Sequence, residues 1–160
     1  MATRSTFVVQ MEDGTFHRNY CHSDGYLEHN GMMLHTHYNS AERARALAAM
    51  GDCSFLDRRL APDPGERHGF EYGGRAVECS VFYGRDRSDS ESTGDRYATL
   101  AEALQHREEY AYVWKDGQWW VDCDGDEDDG DGRQLPPDQL APLAQALVTA
   151  KLLAARAGAA

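Results

Sequence analysis

Ser5-Thr6-Phe7-Val8-Val9-Gln10, then Asp13-Gly14, then Thr15-Phe16-His17-Arg18-Asn19-Tyr20-Cys21 is the stretch that decides the fold. Two runs rich in aromatic and β-branched residues flank Asp-Gly, a dipeptide suited to tight turns, so the segment reads as a β-hairpin. A second hairpin is expected where Tyr110–Trp114 and Gln118–Val121 flank Lys115-Asp116-Gly117. Between them Ala76–Tyr83 reads as a single strand. Hairpins build antiparallel sheets, and one face of such a sheet needs covering.

The cover is expected from helices. Leu27, Gly31, Leu34 and Tyr38 fall at spacings of three and four, which puts them on one helical face within 26–38. Asn39-Ser40 is a helix-start signal for Ala41–Met50, and Gly51 is placed to stop it. Leu100, Ala101 and Leu104 mark a short helix, and Leu140, Leu143, Leu147 and Val148 give an apolar stripe to a terminal helix at about 138–157. Pro142 leaves the start of that helix open. Residues 52–75 read as irregular apart from a short strand at Gly69–Tyr72, and Arg85–Arg96 reads as a polar loop. The expectation is therefore one α+β domain over residues 1–160. Its antiparallel sheet combines two hairpins with a middle strand, and its helices pack on one face.

The chain has 160 residues, 41% hydrophobic and 27% charged. A chain of this length buries roughly two thirds of its unfolded surface, so folding needs neither disulfides nor a metal. The formal charge is −11, which repels phosphate and argues against direct nucleic-acid binding. No stretch reaches the ~20 apolar residues of a membrane span. The apolar run near the start is too short for a signal-peptide core, so a cytoplasmic location is expected. Cys21, Cys53, Cys79 and Cys123 form no C-x-x-C pair and are expected as reduced, mostly buried thiols.

Charge is uneven along the chain. Residues 81–160 hold 8 basic and 16 acidic residues, and seven acids crowd one loop at 122–132: Asp122, Asp124, Asp126, Glu127, Asp128, Asp129 and Asp131. Three readings compete. The run is a solvated, self-repelling loop; or a divalent-cation loop; or a row of carboxylates that imitates a phosphate backbone and occupies a basic groove on a partner. For the second, Asp122, Asp124 and Asp126 have the 1-3-5 calcium-loop spacing. Glu127 then stands where Gly is required, and Arg133 where the closing Glu is required.

Catalytic patterns are sparse. Cys21-His22-Ser23-Asp24-Gly25-Tyr26 holds a thiol, a base and an acid at a strand end. Neighbours on a strand point to opposite faces, however, so Cys21 and His22 are not placed to share a proton. His35 and His37, two apart, diverge around a helix, and no H-E-x-x-H or zinc spacing occurs. Phosphate-loop, dinucleotide and G-x-S-x-G patterns are absent. No cofactor and no metal is expected. Tyr83-Gly84-Arg85-Asp86-Arg87 puts two arginines at a strand end, where an anionic group could bind if the loop is not simply solvated. Tyr110, Tyr112, Trp114, Trp119 and Trp120 crowd the second hairpin, as sheet packing or as an exposed anchor surface.

Thr3-Arg4-Ser5-Thr6, the segment Tyr20-Cys21-His22-Ser23-Asp24-Gly25-Tyr26-Leu27-Glu28, the set Gly31, Leu34, His37 and Tyr38, and Gly51-Asp52 together resemble a family. It is a family of small uncharacterised phage, prophage and bacterial proteins with a T-R-S-x-I start and a Y-C-H-W-D-G-Y segment. Ser23 stands where that family usually has Trp, and the acidic run looks like an addition. The resemblance implies context rather than mechanism. Small acidic phage-type proteins often bind and block a host defence complex, as anti-CRISPR and anti-restriction proteins do. Two function classes follow. One is a non-catalytic inhibitor, a possible DNA mimic, whose contact surface is the acidic loop with Glu108 and Glu109. The other is a small enzyme or ligand-binding domain with His22, Asp24 and Tyr26 at its site.

Overall fold

Both alternating sets of side chains in Ser5–Gln10 (β1) are buried, as expected of a strand with neighbours on each side and a layer on each face. The computed structural model describes residues 2–123 and 140–154. Asp13 accepts hydrogen bonds from the Thr15 N–H and hydroxyl, and Gly14 turns with φ of +85°, which leads β1 into antiparallel β2 (Phe16–Cys21). In the second hairpin, Asp116 and Gly117 both take positive φ between β6 (Tyr110–Lys115) and β7 (Gln118–Asp122). This is the primed turn that Asp-Gly favours.

The sheet is mixed, not purely antiparallel. β1 lies parallel to β6, with Ser5 opposite Tyr110 and Val9 opposite Trp114. β2 meets β3 (Cys53–Phe55) in a parallel bridge between Cys21 and Cys53. The remaining strands are β4 (Val81–Phe82), β5 (Asp95–Tyr97) and β8 (Ala141–Pro142), and the order is β4-β3-β2-β1-β6-β7-β8, with β5 on β2. Turn chemistry fixes pairing inside a hairpin and says nothing about which edges of two hairpins meet. Here their two most apolar strands meet, which places β1 and β6 at the centre.

The helices also depart from expectation by covering both faces. Phe7, Val9, Tyr112, Trp114, Trp119 and Val121 share one core with α1 (Met32–His37), α2 (Ala41–Ala49) and α5 (Leu143–Thr149). Val8, Ala111 and Val113, their alternates, pack on the other face against Leu140 and the Leu100, Ala103 and Leu104 side chains of and beside α4 (Leu100–Ala103). Ser40 caps α2 by accepting from the Arg43 N–H at 3.1 Å, and Thr99 caps α4 by accepting from Glu102. A π-helical turn over Leu27–Gly31 runs directly into α1.

The terminal helix is shorter than its apolar stripe. Pro142 pairs with Trp120 as part of β8, so α5 starts at Leu143, and Lys151 turns left-handed just past its end. Residues 138–139 and 155–157 of the expected span lie outside the described residues. The expected strand at Ala76–Tyr83 shrinks to Val81–Phe82, because Ala76–Cys79 forms a turn with Glu78 at positive φ and Tyr83–Arg87 coils into α3. The expected Gly69–Tyr72 strand is a 3-10 turn, Phe70–Tyr72, closed by a Gly69–Gly74 bridge. Within the expected loop Arg85–Arg96, α3 ends at Arg87 and β5 begins at Asp95.

Tyr38, fully buried, joins α1 to the segment around residue 57: its hydroxyl donates to the Asp57 carbonyl at 2.5 Å. Burial pushes its phenol up to about 12, against the downward pull of Ser80 and Arg43. The folded value lies above the unfolded one, near 10, so this contribution to stability is complete below pH 10 and is lost as pH rises from 10 to 12. About 3 kcal/mol is at stake. Urea titrations at pH 9 and pH 11 are expected to show the drop. The drop should shrink in Tyr38→Phe, and an equal drop in both proteins overturns the assignment.

Candidate functional site

The Cys21–Tyr26 turn is packed rather than open. Cys21 is fully buried opposite Cys53, and burial pushes the Cys53 thiol well up. Asn30 closes the same buried pocket of polar atoms. Its amide donates to Ser5 Oγ at 3.0 Å, Cys21 Sγ at 3.4 Å and the Ser23 carbonyl at 3.3 Å. His22 does not face Cys21; its Nδ1 is 2.6 Å from the Tyr20 hydroxyl. Asp24 sits at φ of 55° and accepts from the Tyr26 hydroxyl at 3.0 Å. Gly25 is wedged against β1, where a Cβ would lie 2.9 Å from the Arg4 carbonyl carbon, and its own carbonyl accepts from Tyr112 at 2.6 Å. His22 is thus bonded back to β2 and Asp24 to Tyr26 within the turn, and neither of the cavities described below is lined by them.

The acidic candidates separate into three groups. Asp122 ends β7 with a buried side chain, and its Oδ2 is 2.6 Å from Arg107 Nε. It is an internal ion pair, which removes it from the expected contact surface and commits the first position of the calcium spacing. Glu108 and Glu109 are half-buried before β6, and Glu108 lines a polar cavity of about 110 Å³ with Tyr20, Asp52, Asp95 and His106. Asp124, Asp126, Glu127, Asp128, Asp129 and Asp131 lie outside the described residues. Their attachment points are described: Val121 pairs with Ala141, so the run leaves the sheet at β7 and the chain returns at β8.

His29 and the aromatics of the second hairpin serve packing. His29 Nε2 is 2.7 Å from the Leu56 carbonyl, and its ring lies 5.0 Å from Phe55. Tyr112, Trp114 and Trp119 are core residues, and Lys115 Nζ sits 4.3 Å from the centre of the Trp120 ring. Cys21, Cys53 and Cys79 are buried and Cys123 is exposed. Among the described residues no group of three or more His, Cys, Asp or Glu could hold a metal ion, and no helix is long and apolar enough to cross a membrane.

Residues 57–87 hold a side-chain cluster and a cavity of which the sequence reading had noted only Arg85 and Arg87 as potential anion ligands. His68, its side chain 2% exposed, accepts from the Ala76 N–H at Nδ1, so the ring proton belongs on Nε2. That nitrogen is 3.2 Å from Asp86 Oδ2 and 3.8 Å from Cys79 Sγ. A thiol–imidazole–carboxylate relay needs thiol and carboxylate on opposite ring nitrogens. Both share one nitrogen here, and Cys79 is fully buried with its thiol pushed up by burial. The cluster fastens rather than reacts. Arg85 completes it, bonding Asp86 and the carbonyls of Leu60 and Ser80. Burial raises the Asp86 carboxyl, yet bonds from Arg85 and the Phe82 N–H hold it below its usual value. Next to this fastening lies a cavity of about 400 Å³ between β3, β4 and the 69–75 turn. Its mouth carries Phe70, 79% exposed, with Tyr72 and Val77 also open to solvent nearby in sequence. A sequence signal existed: two aromatics within a run bounded by Gly69, Gly73 and Gly74, a poor core and a good rim.

Set against family models, curated protein sequences and solved structures, the chain shows no match.

Proposed function

We propose that the protein acts by binding and not by catalysis. In this reading it is an acidic, phage-type inhibitor that docks on a basic surface of a host nucleic-acid-handling defence complex, in the bacterial cytoplasm. The observation that carries it is the attachment of the acidic run. Six acids within residues 124–131, with no base among them, depart from and return to paired strands at one sheet edge. A concentrated negative charge tethered at both ends steers toward basic grooves built for phosphate. Asp122 is excluded from that surface by Arg107, so the contact charge starts at Asp124. The alternative site at Cys21–Tyr26 has His22 hydrogen-bonded to Tyr20 and Asp24 to Tyr26, which supports a structural part for that turn.

A pull-down from host lysate with the tagged protein, at low and at high salt, tests this. The expected result is a nucleic-acid-processing complex held at low salt and released at high salt. Changing Asp124, Asp126, Asp128, Asp129 and Asp131 to Asn and Glu127 to Gln is expected to weaken capture by about 10- to 100-fold and to flatten its salt dependence. Equal capture by this variant overturns the reading.

A further inference from the structure

We propose that the cavity between β3, β4 and the 69–75 turn binds a small molecule made of a flat apolar ring and one anionic group. Its volume, about 400 Å³, falls within the ~300–1,000 Å³ of small-ligand pockets. Phe55 and Val81, paired across β3 and β4, supply apolar wall, and Phe70 stands at the mouth. Bare backbone supplies the rest: a Cβ added at Gly73 or Gly74 meets nothing of the protein within 4 Å. A ring can therefore lie against that backbone with Phe70 over it.

The charge of the lining selects the anion. In a chain of net charge −11, this cavity is lined by Arg75 and Arg87 and by no acidic residue. Arg75 is held in place, 2.7 Å from Asp57 and over the Phe55 ring at 4.0 Å. Arg87 rests 5.3 Å from the Tyr83 ring, and no carboxylate among the described residues lies within ion-pair distance of it. Its guanidinium is thus the group available to a carboxylate or phosphate, which it can grip through two parallel N–H donors. Arg85, its neighbour two residues back, is spent on Asp86 and two carbonyls, so of the pair only Arg87 is left for a ligand. Sheet order puts this cavity at the β4 edge, six strand spacings or about 30 Å from the β8 edge. The cavity is therefore remote from the edge at which the acidic run joins the sheet, and the proposal does not rest on the function of that run.

The probe is 8-anilinonaphthalene-1-sulfonate, a flat ring system with one anionic group, followed by fluorescence. One saturable site is expected. Arg87→Gln should weaken it about tenfold while shifting thermal unfolding little, since no ion pair is lost and Arg87 meets the Tyr83 ring from an exposed position. N-phenyl-1-naphthylamine, the same ring system without the sulfonate, should bind weakly and equally to both proteins. Gly74→Val, whose Cβ would meet nothing of the protein within 4 Å, should fold normally and abolish the signal. Displacement by adenosine monophosphate identifies a phosphate-bearing ligand, and displacement by indole-3-carboxylate identifies a carboxylate-bearing one. Unchanged affinity in Arg87→Gln or Gly74→Val, or no displacement by either competitor, overturns the proposal.

Discussion

Replacing Arg107 with alanine is expected to lower the unfolding free energy by about 3–5 kcal/mol. The Arg107 and Asp122 side chains are 8% and 5% exposed, and the guanidinium lies 2.6 Å from the carboxylate. Folding has already stripped both charges of water. Removing the cation leaves the Asp122 carboxylate buried at the end of β7 without that guanidinium, at the point where the acidic run leaves the sheet. Asp122→Asn in the Arg107→Ala background should recover part of the loss, because the charge that needed compensation is gone. Urea titration reads both effects, and an unfolding midpoint unmoved by Arg107→Ala sinks the argument.

Trp119→Ala is expected to cost about 3–5 kcal/mol as well, by a different route. The indole is 3% exposed and meets Trp114 edge-on, at 5.6 Å between ring centres and 70° between planes. Its Nε1–H donates to the Tyr38 carbonyl at 3.0 Å, at the end of α1. The side chain therefore ties the second hairpin to the helical layer by both packing and a buried hydrogen bond. Trp119→Phe separates the two, keeping most of the packing and losing the bond. It should cost about 1–3 kcal/mol. Equal losses in the two variants would remove the packing half of the account.

The sequence was readable where local chemistry decides. Asp13-Gly14 and Asp116-Gly117 mark the two turns, with Gly14, Asp116 and Gly117 at positive φ, Ser40 lies where a helix cap lies, and the α+β class follows. It was opaque where tertiary packing decides. Nothing in Ser5–Gln10 says that its second neighbour is parallel β6, and the unbroken burial of a central strand hides which face holds which helix. Ala76–Tyr83 has strand-like composition, but the His68 bond to the Ala76 N–H and the anchoring of Arg85 bend that stretch into a turn, a two-residue strand and a helix. The candidate site followed the same rule. Asp122 looks identical to its acidic neighbours in sequence, and only the fold brings Arg107 to it from 15 positions away. The arginine-lined cavity draws on residues from 54 to 87, and of these the sequence reading had noted Arg87 alone as a potential anion ligand.

The parallel contact between β1 and β6 also sets a timetable. β1 leaves the ribosome first and finds β2 almost at once, whereas its other neighbour begins at Tyr110. At about 5–20 residues per second, the nascent chain carries β1 with one edge unpaired for on the order of 5–20 s. Phe7, Val8 and Val9 then stand on an open strand edge, the kind of template on which other chains add. The vulnerable species in the life of this protein is thus its own unfinished copy, truncated or stalled before residue 110.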